Sequence, residues 1–169
     1  MNYRHATQSD LGEVCSLIKA AIAEMERHSI FQWDEIYPAR EDFASDIAAS
    51  SLFVGETEAD GTKRIAVVYA LNSDCDEEYK RAVWKCRGAY RIIHRLCVHP
   101  DFQSRGFAAQ TLKHIEAQAA ALGATCIRLD VFSKNPVSLK LYERAGFYKT
   151  GEAQWRKGLF FLMEKCLAN

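Results

Sequence analysis

The stretch Tyr90-Arg91-Ile92-Ile93-His94-Arg95-Leu96-Cys97-Val98-His99-Pro100, running into Gln103-Ser104-Arg105-Gly106-Phe107-Ala108, decides the fold. Its first part is rich in branched apolar residues and reads as a strand over 90–98, which His99-Pro100 stops. Beyond Gly106, the residues Ala108, Leu112, Ile115, Ala119 and Leu122 recur at helical spacing, which predicts a helix over 105–122. Gly123 suits its C-terminal cap. Thr125 to Phe132 then reads as a second strand. One helix between two strands is a βαβ unit, so these strands are expected to be parallel, with a right-handed crossover.

Working outward, Asn135-Pro136 opens another helix as N-cap and first-turn proline, and Gly146 closes it. Strands near 147–150 and 159–166 complete the chain. On the N-terminal side, residues 2–6 read as a strand and Thr7 with Asp10 as a capping box. Leu11, Val14, Cys15, Ile18, Ala21, Ile22 and Met25 give one apolar helical face. A second helix follows over 40–49, then strands at 52–57 and 64–71 joined by a hairpin turn at Ala59-Asp60-Gly61-Thr62. Residues 73–89 are polar with embedded Tyr79 and Trp84, and show no clear period.

At 169 residues, the chain is expected to form a single α/β domain, residues 1–169, with a mixed, twisted central sheet flanked by helices. Lys plus Arg equals Asp plus Glu at 22 each, which argues against a nucleic-acid partner. No apolar run is long enough for a membrane span. The six cysteines form no CxxC pair, so the expectation is a reduced, cytoplasmic protein with free thiols and no metal.

The loop Gln103–Ala108 carries the first chemistry. A helix start exposes unpaired amides and a partial positive charge, and glycine lets an anion approach the backbone. It is neither a Walker A loop nor a dinucleotide fingerprint; by itself it reads equally as a capped surface helix. Further on come Asn135 and Leu141-Tyr142-Glu143-Arg144-Ala145-Gly146-Phe147. With Gln103-x-x-Gly106-x-Ala108 in front of them, residues 90–150 resemble the GNAT superfamily of acyl-CoA-dependent N-acetyltransferases. Ala108 stands where that family more often has a second glycine.

The resemblance implies a GNAT-like sheet whose parallel βαβ unit forms the acyl-CoA cleft. It implies acetyl-CoA as co-substrate, with its pyrophosphate on Gln103, Ser104, Arg105, Gly106, Phe107 and Ala108. Its pantetheine arm would lie along the backbone of Leu96, Cys97 and Val98, with Asn135 nearby. Tyr142 takes the family's general-acid position, the alternative being a core tyrosine. His94 takes a base position known in arylalkylamine acetyltransferases of this superfamily; the alternatives are a structural histidine, or water as proton acceptor. In a regular strand, His94, Leu96 and Val98 share a face. The 29–38 segment would overhang the acceptor, a primary amine of a small molecule or peptide, with Phe31, Trp33, Asp34, Glu35 and Tyr37 as candidate contacts. Trp33 and Tyr37 read equally as loop anchors. An acidic run over 24–46 and a basic one over 133–149 fit a cationic acceptor and an anionic co-substrate. A homodimer through the C-terminal strands is implied by analogy. A non-catalytic acyl-CoA sensor, or a transferase for longer acyl groups, is the alternative.

Overall fold

The computed structural model describes residues 1–59 and 61–167. The elements run β1 (Asn2–His5), α1 (Leu11–Arg27), α2 (Arg40–Ala48), β2 (Leu52–Ala59), β3 (Thr62–Asn72), β4 (Tyr90–Val98), α3 (Phe107–Ala121), β5 (Cys126–Phe132), α4 (Pro136–Arg144), β6 (Tyr148–Trp155) and β7 (Gly158–Cys166). The strand order is β1-β2-β3-β4-β5-β7-β6. As expected, β4 and β5 are parallel, with Tyr90 opposite Cys126 and Ile93 opposite Leu129. The other registers are antiparallel: β1 on β2, β2 on β3, β5 on β7 and β6 on β7. The predicted hairpin turn includes Asp60, which lies outside the described residues; its flanks pair Ala59 with Thr62. The 73–89 segment holds a short 3-10 turn, Glu77–Arg81.

The chain clusters into two compact units, residues 1–71 with 95–111, and residues 72–94 with 112–169. In the first, α1 lays Leu11, Val14, Leu17, Ile18 and Ala21 against Phe43 of α2, Leu52 and Val54 of β2, and Val68 of β3. Burying each large side chain contributes roughly 1.5–3 kcal/mol. Asp10 reaches back to the Thr7 amide (2.7 Å) in the anticipated capping box, although it opens a 3-10 turn rather than α1 itself. Arg4 grips Asp10 with two bonds (2.7 and 2.9 Å) and Glu56 of β2 with two more (2.6 and 2.8 Å).

In the second unit, Tyr79, Ile92, Ala153 and Leu162 form a buried cluster with Trp84, Tyr90 and Trp155 against it. The Trp84 indole donates to the Tyr79 carbonyl (2.8 Å), and the Tyr79 hydroxyl donates to Asp130 (2.8 Å). These two aromatics therefore anchor the segment whose sequence shows no period. One sequence expectation is corrected here: Cys86 and Cys166 form a disulfide, while Cys15, Cys75, Cys97 and Cys126 are free. Eighty residues separate the pair, and no local spacing signals it. No helix among the described residues is long and apolar enough to cross a membrane.

Candidate functional site

The anion-binding reading bears on the loop after β4. Ser104 and Gly106 both have left-handed backbone (φ 61° and 79°), which turns the chain into α3. The first bond of the helix runs from the Gln110 amide to the Gly106 carbonyl (3.0 Å), so the amides of Phe107, Ala108 and Ala109 precede it and have no intrahelical acceptor. A β-carbon on Gly106 would meet nothing within 4 Å, so the space over this backbone is open. The Arg105 guanidinium lies over the Phe102 ring (5.4 Å), as does that of Arg64 (5.1 Å), which also pairs with Asp101 (3.3 Å). Two cations thus stand on one buried ring beside the amides. Gln103 turns inward instead, its amide donating to the Val98 carbonyl (3.1 Å) and tying the loop to its strand.

The strand itself departs from regularity. The β4–β5 ladder covers Tyr90 to Ile93, and Arg95 has a left-handed backbone (φ 53°). A residue with positive φ breaks the two-residue alternation, so the shared face expected for His94, Leu96 and Val98 does not hold. The His99 amide donates to Ala66 (2.8 Å), and Cys97 is buried in the first unit's core. Burial pushes the Cys97 thiol up to about 12, so it stays protonated and is no acyl-accepting nucleophile.

Within the second unit, His94 Nε2 lies 3.0 Å from Asn72 Oδ1 and 3.1 Å from the Asp74 carbonyl. Both partners accept, so Nε2 carries a proton. Asn135 is 5% exposed and caps α4, its Oδ1 accepting from the Ser138 amide (3.0 Å). Tyr142 is buried in α4, edge-on to Phe147 (5.8 Å).

The acceptor-side residues divide by role. Asp34 Oδ1 accepts from the amides of Ile36 (3.0 Å) and Tyr37 (3.2 Å), so that oxygen shapes the loop. Trp33 packs on the core, as the anchoring alternative has it. Phe31, Glu35 and Tyr37 are exposed. Arg95, which the sequence disguises as an ordinary strand residue, holds this loop: its guanidinium pairs with Asp46 and donates to the Tyr37 hydroxyl (3.1 Å). The acidic run is therefore largely spent internally. Glu24 pairs with Arg27 and His28, Asp42 accepts from the Ala39 amide, and Asp46 faces Arg95.

A mixed sheet with one parallel βαβ unit, and a helix start directly after its first strand, define the class: an α/β protein with flanking helices. The chain matches the model of the acetyltransferase (GNAT) family over residues 18–147 and belongs to that family, a family of acyl-transferring enzymes. A Bacillus subtilis (strain 168) protein named uncharacterized N-acetyltransferase YycN is 29% identical over 66 residues. That match spans 39% of this chain and only 42% of the relative's length. Among solved structures, a GNAT-family acetyltransferase of Streptococcus agalactiae 2603 superposes with a TM-score of 0.81, at 21% identity, over 99% of this chain and 96% of its own. The Salmonella typhimurium protein yncA, solved with its cofactor acetyl-CoA, gives 0.70 at 17% identity, over 100% and 95%. At these identities the likeness is one of fold.

Proposed function

We propose that residues 1–169 act as one N-acetyltransferase domain, moving an acetyl group from acetyl-CoA to a primary amine of a small molecule or peptide by direct attack. The observation that carries this reading is the loop: open space over Gly106, amides without an intrahelical acceptor at the start of α3, and Arg105 held on Phe102. These features fit a pyrophosphate. The amides of Arg105 to Ala108 would hold it, with Ser104 beside them and Gln103 fixing the loop. The backbone of Leu96–Val98 would carry the pantetheine arm, and Asn135 is kept as a candidate contact of the cofactor. Acetyl-CoA, when bound, supplies an acyl group activated as a thioester. We assign this activity to the cytoplasm, without a catalytic metal, and a dimer of the chain as its working form.

Direct attack poses two proton problems for the chain's own residues. An alkyl amine with a pKa near 10 is only about one part in a thousand neutral at pH 7, a deficit of roughly 4 kcal/mol. We assign His94, directly or through water, to relieve it; its Nε2 is positioned by Asn72 and Asp74. Tyr142 is assigned to deliver a proton to the departing thiolate, as a phenol is protonated at neutral pH. Buried and protonated, Cys97 supports direct attack over a covalent acyl-enzyme. Phe31, Glu35 and Tyr37 are the exposed groups available to a cationic acceptor, with Trp33 and Asp34 shaping the loop beneath them.

The test is free-thiol release from acetyl-CoA across a panel of polyamines, arylalkylamines, amino acids, aminoglycosides and peptide N-termini. At least one class should drive turnover, and Tyr142→Phe should lower kcat by about 100-fold or more while leaving acetyl-CoA affinity in place. No heat of binding at millimolar acetyl-CoA would overturn the reading; binding with no turnover on any amine would make the chain a sensor.

A further inference from the structure

The second unit buries a group of metal-binding side chains remote in sequence from the acyl-CoA loop. Sulfur atoms of Cys86 and Cys126 and a carboxylate oxygen of Glu164 all lie within 4.8 Å of one another, and all three residues are buried. Glu164 is 0% exposed. One of its oxygens, Oε1, accepts from the amides of Lys85 (2.5 Å) and Cys86 (3.2 Å) and from the Tyr148 hydroxyl (3.1 Å). The other, Oε2, has no hydrogen-bond partner among the described residues, and the nearest cation atom, Arg128 Nε, stands 3.9 Å off. A buried carboxylate oxygen left unsatisfied is costly and calls for a partner. Cys166 is exposed and is not one of those three, but it adjoins them. It lies directly opposite Cys126 in the β5–β7 register, and its sulfur is bonded to that of Cys86.

We propose that reduction of the Cys86–Cys166 disulfide creates a thiophilic divalent-metal site, with Cys86, Cys126, Cys166 and Glu164 as its four ligands and zinc as the ion it suits. Three sulfurs and one oxygen are a donor set for a closed tetrahedral site. Donors around zinc at ~2.0–2.3 Å stand about 3.3–3.8 Å apart, so the group must contract by roughly 1 Å from its present limit. Three thiols release three protons to solvent on binding. Three thiolates, one carboxylate and a divalent cation leave two negative charges. Arg128 offsets one of them, fixed beside Glu164 between the rings of Trp84 (4.3 Å) and Tyr90 (4.1 Å). In the oxidised chain, Cys86 and Cys166 spend their sulfurs on each other and the site cannot form. Disulfide and metal therefore compete for the same atoms. The absence of a CxxC motif, which argued against zinc from sequence, does not bear on ligands brought together by β5, β7 and the 82–89 segment.

The experiment uses the full chain, oxidised or reduced with a phosphine. The phosphine becomes phosphine oxide with one water, and both sulfurs leave as thiols. Titration with cobalt(II) should give the reduced chain one tetrahedral, thiolate-ligated ion, read from its visible ligand-field bands and near-ultraviolet charge-transfer band. Zinc should displace it, and the oxidised chain should give neither band. Cys126→Ser should weaken binding by more than about 100-fold, beyond the loss typical of outer-sphere changes. Should that variant not fold, alkylation of the reduced wild-type chain with and without zinc decides the matter. Zinc should protect Cys86 and Cys166, the thiols that reduction frees, and leave Cys15 and Cys75 reactive. A reduced chain without the cobalt–thiolate spectrum, equal binding by oxidised and reduced chains, or protection that falls on Cys15 and Cys75 would overturn the proposal.

Discussion

Gly106→Ala tests the anion-binding loop against a control that the same helix provides. Gly106 and Gly123 flank α3, with nearly equal backbone angles (φ 79° and 76°) and nothing within 4 Å of an added β-carbon at either. Alanine in this left-handed conformation costs about 1–2 kcal/mol, partly offset by about 0.4–1 kcal/mol from a stiffer unfolded chain. With no clash at either site, both variants should lose about 1 kcal/mol and roughly 2–4 °C in Tm. Binding should separate them. A methyl group over Gly106 occupies the approach to the amides of Phe107 and Ala108, and hydrogen bonds to a charged group are worth about 1.5–3 kcal/mol each. Losing one raises the Kd for acetyl-CoA by roughly 10- to 150-fold. Gly123→Ala should leave that Kd unchanged. Calorimetric titration of both variants with acetyl-CoA, with melting curves alongside, supplies the numbers. Equal affinity of Gly106→Ala and Gly123→Ala would refute the placement of the pyrophosphate.

Arg105→Ala should raise the KM for acetyl-CoA several-fold and flatten its salt dependence, because the guanidinium on Phe102 acts as a partly screened charge; steady-state kinetics at two ionic strengths reads both. Arg4 and Thr7 hold the Asp10 carboxyl well below the usual carboxylate range, the Arg4 hydrogen bonds being the largest cause. A depressed folded value means the pair's contribution is complete above the unfolded value near 4 and is lost as pH falls below it. Asp10→Asn should thus lower stability by about 1–2 kcal/mol at pH 7 in urea melts, and the gap to wild type should narrow in acid. Reducing the disulfide, which closes a loop of 80 residues, should cost about 2–4 kcal/mol in the presence of a chelator, seen as a lower Tm.

The loop, the two helix starts and the parallel pair were legible because each is a local pattern. Pro100 ends a strand, Gly106 takes a positive φ, Asn135 caps α4 through Ser138, and one helix between strands forces a parallel crossover. The roles at the acceptor side were not legible in this way. Asp34 read as a ligand for a cation, yet its Oδ1 is used by amides two and three residues on. Arg95 read as one more strand residue, because its side-chain partners, Asp46 and Tyr37, lie some 50 residues earlier in the chain.

By itself the sequence determined the order of elements, the helix-start chemistry and the family, since these rest on periodicity, caps and short motifs that act over a few residues. Tertiary structure alone decided which atoms are spent and which remain. It assigns the His94 Nε2 proton to Asn72 and Asp74, closes Cys86 on Cys166, and leaves Glu164 Oε2 buried without a hydrogen bond among the described residues. The physical reason is that a side chain's partner is chosen by the sheet register and by burial. Both are set by contacts between residues far apart in the chain, where no spacing rule applies.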